Sequence, residues 1–155
     1  MGLDMYLYKK LYVKNWDHTR PEERHSITVT KGDGSQYPKR ILDPSKITYV
    51  VSEAGYWRKA NQIHNWFVSN VQNGTDDCAT YYVSQEQLQK LLDTVRKVLA
   101  DHSKAGELLP TTEGCFFGST EYDEWYYQDL KYTEAILEEA LRDNQSDYFE
   151  YNSSW

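Results

Sequence analysis

Residues suited to binding chemistry crowd one short stretch, "GYWRKANQIHNWF" (Gly55–Phe67), which holds Trp57, Arg58, Asn61, His64, Asn65 and Trp66. An arginine fork pairs with phosphate or carboxylate through two parallel hydrogen bonds. Indole rings stack on cations and heterocycles, and amides both donate and accept. Together these groups suit a planar, anionic or heterocyclic ligand. A second irregularity lies at Asp129, which interrupts an apolar stripe beside Trp125, Tyr126 and Thr133. A buried carboxylate without a partner is costly, so Asp129 is expected to meet a cation or donor, with Arg58 or His64 the natural choices. The expected ligand-binding set is therefore Trp57, Arg58, Asn61, His64, Asn65, Trp125, Tyr126 and Asp129.

Reaction machinery is harder to find. The histidines His18, His25, His64 and His102 lack an i,i+4 metal partner of the HExxH kind. Cys78 and Cys115 do not form a C-x-x-C pair, and both are expected as small, reduced, buried residues. Asp76 and Asp77 could hold a cation, but adjacent loop carboxylates are common without one. Ser119 lacks the G-x-S-x-G frame, and "KGDGS" lacks the GK[ST] of a phosphate loop. No catalytic residue, metal site or cofactor is assigned. The remaining catalytic reading is a small hydrolase or transferase with His64 held as a base by Asp129.

The elements that must position these groups are read from periodicity. Leu3, Met5 and Leu7 alternate with Asp4, Tyr6 and Tyr8, a strand pattern. Ser26–Lys31 is a second expected strand, followed by a Gly-Asp-Gly turn and a short return. Asp43-Pro44 suits the start of a helix, because proline lacks the donor that a helix start leaves unpaired. That helix is expected to reach about Gln72. Wound at 100° per residue, it places Ile47, Val50, Val51, Ala54 and Trp57 on one face. Past Gly55 the apolar residues cross to the other side, leaving Arg58, Asn61 and Asn65 where the core had been. Either Gly55 kinks the helix, or the helix is buried all round and its polar face lines a pocket.

Ser84 with Gln87 forms a capping box, and Leu88, Leu91, Leu92, Val95, Val98 and Leu99 follow at helical spacing, with His102 on the same stripe. "CFFG" (Cys115–Gly118) is expected as a short buried strand. A third helix runs over about Glu121–Arg142, capped from Thr120 or Asp123. The segment 143–155 adds an edge strand or stays loose. The fold class is α+β: three main helices packed with a small, largely antiparallel sheet, in a single domain over residues 1–155.

Composition narrows the function further. The net charge is −7, with ten acidic residues against Lys131 and Arg142 between Glu121 and Glu150. General nucleic-acid binding needs a basic face and is excluded on this ground. No apolar run reaches the roughly 18–20 residues that span a bilayer, no signal peptide is legible, and "MGLDMY" lacks the Ser or Thr of a myristoylation site. A cytoplasmic chain is expected. The 14 tyrosines favour an interface somewhere, and a homodimer is an option.

The blocks "MGLDMYLYKK", "GYWRKANQIHNWFV", "DDCATYYVS" and "FFGSTEYDEWYY" resemble a family of small phage and prophage accessory proteins. The resemblance covers Met1 to about Leu141. It implies an accessory viral protein in the host cytoplasm, and it transfers no catalytic residues. Such proteins often counter host defence, some by sequestering a nucleotide signal and others by binding a host enzyme. The leading expectation is a non-enzymatic protein that binds a small nucleotide-like ligand. The alternative is an acidic inhibitor of a host protein, using Glu121–Glu150 to mimic nucleic acid and steer association.

Overall fold

A computed structural model of the chain describes residues 2–113, 119–142 and 148–155. Four strands, β1 (Asp4–Tyr12), β2 (Tyr49–Arg58), β3 (Tyr81–Val83) and β4 (Tyr148–Ser154), form one antiparallel sheet in the order β2-β1-β4-β3. Four α-helices accompany them: α1 (Asn61–Asn70), α2 (Gln85–Ala100), the single turn α3 (Ala105–Leu108) and α4 (Glu124–Ala140). The expected α+β class holds, with one more short helix than the three anticipated.

The alternation read in β1 is real. Met5 and Leu7 are buried, while Tyr6 and Tyr8 lie on the opposite face. Helix α2 begins at the expected capping box: Gln87 N–H donates to the Ser84 hydroxyl and the Ser84 N–H to the Gln87 side chain. Its stripe Leu88, Leu91, Leu92, Val95 and Val98 is buried against α4. The stripe stops at Ala100, where Asp101 opens a separate 3-10 turn. His102 then lies exposed, stacked on Tyr127 at 3.8 Å. Asp123, rather than Thr120, caps α4 by accepting from the Tyr126 N–H.

Several expectations need correction. The helix expected from Asp43 to Gln72 is a 3-10 turn, a strand and a short helix. Asp43-Pro44 does start a helical turn, but it lasts only Pro44–Lys46. The β-branched and aromatic residues of Tyr49–Trp57 then pair with β1, as their composition favours. A register shift opposite Leu7 and Tyr8 leaves Ala54 as the extra residue, a β-bulge. Lys59, at φ 60°, turns the chain out of the strand and into α1.

Gly55 therefore kinks no helix. It lies in β2 beneath α4, where a Cβ would come within 2.5 Å of Ile136 Cγ2. Glycine is needed there for close approach of backbone to helix.

The strand expected at Ser26–Lys31 is reduced to one bridge between Thr30 and Gln36, closing the turn around Gly32–Gly34. The segment alternates, but no strand of the sheet runs beside it, and alternation without a partner does not make a strand. Over Tyr148–Ser154 the last segment is neither loose nor an edge, and residues 143–147 lie outside the described residues. Strand β4 lies between β1 and β3 and buries Phe149, Tyr151 and Ser153. The strand expected at Cys115–Gly118 lies outside the described residues, as does the position of Cys115. Cys78 is exposed, not buried.

One apolar cluster joins the inner face of the sheet to the helices. Among the described residues no helix is long and apolar enough to cross a membrane.

Candidate functional site

The eight residues singled out above separate into four places. Asn61, Trp125, Tyr126 and Asp129 line one cleft of about 200 Å³ between the start of α1 and the first turns of α4. Trp57 is a core residue. Its indole N–H donates to the Thr133 hydroxyl at 2.9 Å, and its ring packs edge-on to Phe67. Arg58, at the end of β2, points away from the cleft with its side chain 62% exposed, 3.9 Å from Asp4. His64 and Asn65 belong to α1 but do not line the cleft; Asn65 is half-buried.

The cleft follows from α1 being buried nearly all round, with Asn61, Gln62 and His64 buried alongside Ile63 and Phe67. Buried polar groups need partners. Asp129 finds one in Gln62, whose amide donates at 3.3 Å, and not in Arg58 or His64. Burial raises the Asp129 carboxyl above the ordinary carboxylate range; the Gln62 amide opposes this and Asp123 adds to it. Tyr126 closes the floor by donating to the Leu109 carbonyl at 2.7 Å. Trp125 stands at the rim, 73% exposed. Among the described residues, three acidic side chains, Glu121, Asp123 and Asp129, line this cleft against one basic side chain, Lys59. A phosphate would be repelled rather than held there.

His64 faces the opposite side of α1. Its Nδ1 lies 2.7 Å from the Tyr151 hydroxyl and its Nε2 2.9 Å from Asp76. The neutral ring satisfies both in one tautomer, with Nε2–H donating to the carboxylate and Nδ1 accepting from the phenol. Tyr151 is fully buried and stacked flat on Phe67 at 3.9 Å, and burial raises its hydroxyl pKa well above the usual value. No substrate reaches this phenol, so the array ties α1 to β4 and to the loop before β3. Asp77 is also used structurally, accepting from the Ala79 N–H and the Tyr81 hydroxyl. Among the described residues no group of three or more His, Cys, Asp or Glu is placed to hold a metal ion.

The feature that residue-by-residue reading missed is the outer face of the sheet. Register places Asp4, Tyr6, Tyr8, Lys10 and Tyr12 of β1 on it, with Tyr49, Val51, Glu53, Tyr56 and Arg58 of β2. Strand β4 adds Tyr148, Glu150 and Asn152, and β3 adds Tyr82. Seven of the chain's 14 tyrosines therefore share one surface. Their rings form two clusters. Tyr6 touches Tyr8 and Tyr56 at 5.9 and 5.2 Å. Tyr12, Tyr49, Tyr148 and Tyr82 make a chain with successive centroids 5.2, 5.9 and 5.7 Å apart.

Between the clusters, the Lys10 ammonium is 2.9 Å from Glu150 and 5.5 and 5.4 Å from the rings of Tyr49 and Tyr148. The Tyr56 hydroxyl donates to Asp4 at 2.5 Å. The available signal was the period-two run Tyr6-Tyr8-Tyr12, whose outward side is too aromatic for an ordinary solvated face.

The acidic helix is less free than its composition suggests. Arg96 of α2 binds both Glu134 and Glu138, at 3.2 and 2.7 Å, and Arg142 binds Glu139. Set against known protein families, curated proteins and solved structures, the chain finds no match.

Proposed function

We propose that this chain is a non-enzymatic protein-binding module that docks a basic protein partner through the tyrosine-paved face of its sheet. The observation that carries the reading is the concentration of seven tyrosines on one face that no described helix covers. Tyrosine supplies large, rigid, amphipathic contact area at small entropic cost and is enriched at interfaces. The choice of a basic partner rests on charge. Asp4, Glu53 and Glu150 outnumber Lys10 and Arg58 on this face, and the whole chain carries −7. Two of the rings already receive the Lys10 ammonium, so a partner's Lys or Arg meets the same chemistry.

A nucleotide in the cleft has less support, because the arginine meant for its phosphate lies outside the cleft and carboxylates line it. A mimic built only on Glu121–Glu150 has less support too, since three of its carboxylates, Glu134, Glu138 and Glu139, are already held in ion pairs with Arg96 and Arg142. The phage resemblance would make the partner a host protein.

Affinity capture from host lysate tests this with three baits compared side by side. The wild type and Glu134→Gln/Glu138→Gln should retain the same protein. Tyr8→Ser/Tyr148→Ser should lose it at unchanged circular dichroism. Retention by the tyrosine variant, or loss by the glutamate variant alone, would return the reading to the acidic helix. Titration with cyclic dinucleotides is expected to give no heat; saturable heat would revive the small-ligand reading.

A further inference from the structure

The charges on the outer face of the sheet fall into pairs, with one remainder. Lys10 lies 2.9 Å from Glu150, and its ammonium stands over the rings of Tyr49 and Tyr148. Arg58 lies 3.9 Å from Asp4, which also accepts from the Tyr56 hydroxyl. The excess negative charge of the face is therefore Glu53. Its side chain is exposed and, among the described residues, makes no hydrogen bond or ion pair.

Register sets Glu53 directly across from Tyr8, and Tyr6 stacks on Tyr8 with the ring planes 3° apart. Burial foremost, with Tyr6 and the Glu53 charge behind it, raises the Tyr8 hydroxyl above its ordinary pKa. Glu53 and these two rings repeat the set that holds Lys10, a carboxylate with a pair of tyrosines. Among the described residues, however, no cation stands over Tyr6 or Tyr8.

We propose that Glu53 and the stacked rings of Tyr6 and Tyr8 seat one arginine side chain of the protein partner. The inference rests on the docking reading and places the partner's cation within it. Arginine suits the seat better than lysine for two reasons. Its planar fork meets a carboxylate through two parallel hydrogen bonds. Its flat face lies on an aromatic ring, and it gives up hydration more readily than an ammonium. With that arginine in place, the three carboxylates of the face meet three cations.

Titration of the full chain with N-acetyl-arginine amide and N-acetyl-lysine amide, followed through the NMR signals of the tyrosine rings, tests the seat. The arginine probe should shift Tyr6 and Tyr8 saturably and leave Tyr49 and Tyr148, where Lys10 already sits, unmoved. Glu53→Gln should weaken its binding about fivefold at unchanged circular dichroism. Glu134→Gln, which removes the same charge elsewhere, should not. The lysine probe should bind more weakly than the arginine probe. No saturable shift at Tyr6 and Tyr8, equal affinity in Glu53→Gln, or a preference for lysine overturns the proposal. Failure of the docking reading shows instead in the lysate capture, where the wild type would retain nothing that the tyrosine variant loses. A captured protein that Tyr8→Ser/Tyr148→Ser loses and Glu53→Gln holds as tightly as the wild type would spare the docking reading and overturn this one.

Discussion

The two faces of the sheet are built from the same strands, and successive residues serve opposite ends. Met5, Leu7, Trp57, Phe149 and Tyr151 go inward, where helices cover them. Tyr6, Tyr8, Tyr56, Tyr148 and Glu150 go outward, and no described helix covers them. An ordinary one-sided antiparallel sheet presents polar residues to water; this one presents tyrosines. The difference shows that a sheet face that no described helix covers can still be aromatic.

The largest expected contrast comes from truncating one aromatic residue on each face of the sheet. Trp57→Ala should lower stability by about 3–5 kcal/mol, by removing a buried indole and the hydrogen bond it donates to the Thr133 hydroxyl. Tyr8→Ser, on the outer face, should cost under about 1 kcal/mol. Urea denaturation of both variants measures the contrast, and equal losses would mean that the outer face is part of the core.

Next in size is Gly55→Ala, expected to cost about 1–3 kcal/mol through overpacking against Ile136. Combined with Ile136→Ala, it should cost less than the two singles summed, because the clashing methyl is gone. Strict additivity in that double-mutant cycle would remove the close approach of β2 and α4 from the account.

The smallest effect is pH-dependent. Burial raises the folded Asp129 carboxyl above its ordinary value of 3.8. Between that value and the raised one, the folded state holds more protons than the unfolded chain, so stability falls as pH rises through the window. Asp129→Asn keeps an acceptor for Gln62 and removes the buried charge. It should match the wild type at pH below the window and exceed it at neutral pH. A less stable variant at neutral pH would mean that Asp129 has a cationic partner after all.

Legibility in the sequence varied with how local the signal was. The Ser84–Gln87 box, the α2 stripe from Leu88 to Val98 and the β1 alternation involve residues within one or two turns or strands and were read correctly, whereas the stripe's extension to His102 and the share of Thr120 in the α4 cap were not. Strand β2 was misread because its bulge at Ala54 breaks the period-two pattern, placing Val51 and Trp57 on opposite faces despite their even spacing. Its partly exposed Val50 and Val51 also show that an apolar residue at a strand end need not be buried. The polarity of Asn152 and Ser153 hid β4, whose pairing partners β1 and β3 lie far away in the chain.

At the candidate site, Asp129 was legible as a carboxylate in an apolar stripe. Its partner Gln62 was not, because α1 begins only after the turn at Lys59. The tyrosine face needed the register of all four strands before it became one surface.

The most direct test of the docking claim is photo-cross-linking from two exposed tyrosines on different faces. Tyr82 lies on the outer face of the sheet and Tyr132 on α4, at 61% and 51% exposure, so accessibility alone does not separate them. With benzoylphenylalanine placed at one position at a time in the otherwise intact chain, position 82 should yield a discrete adduct with a host protein and position 132 should not. An adduct from position 132 alone, or equal yields from both, would contradict the account.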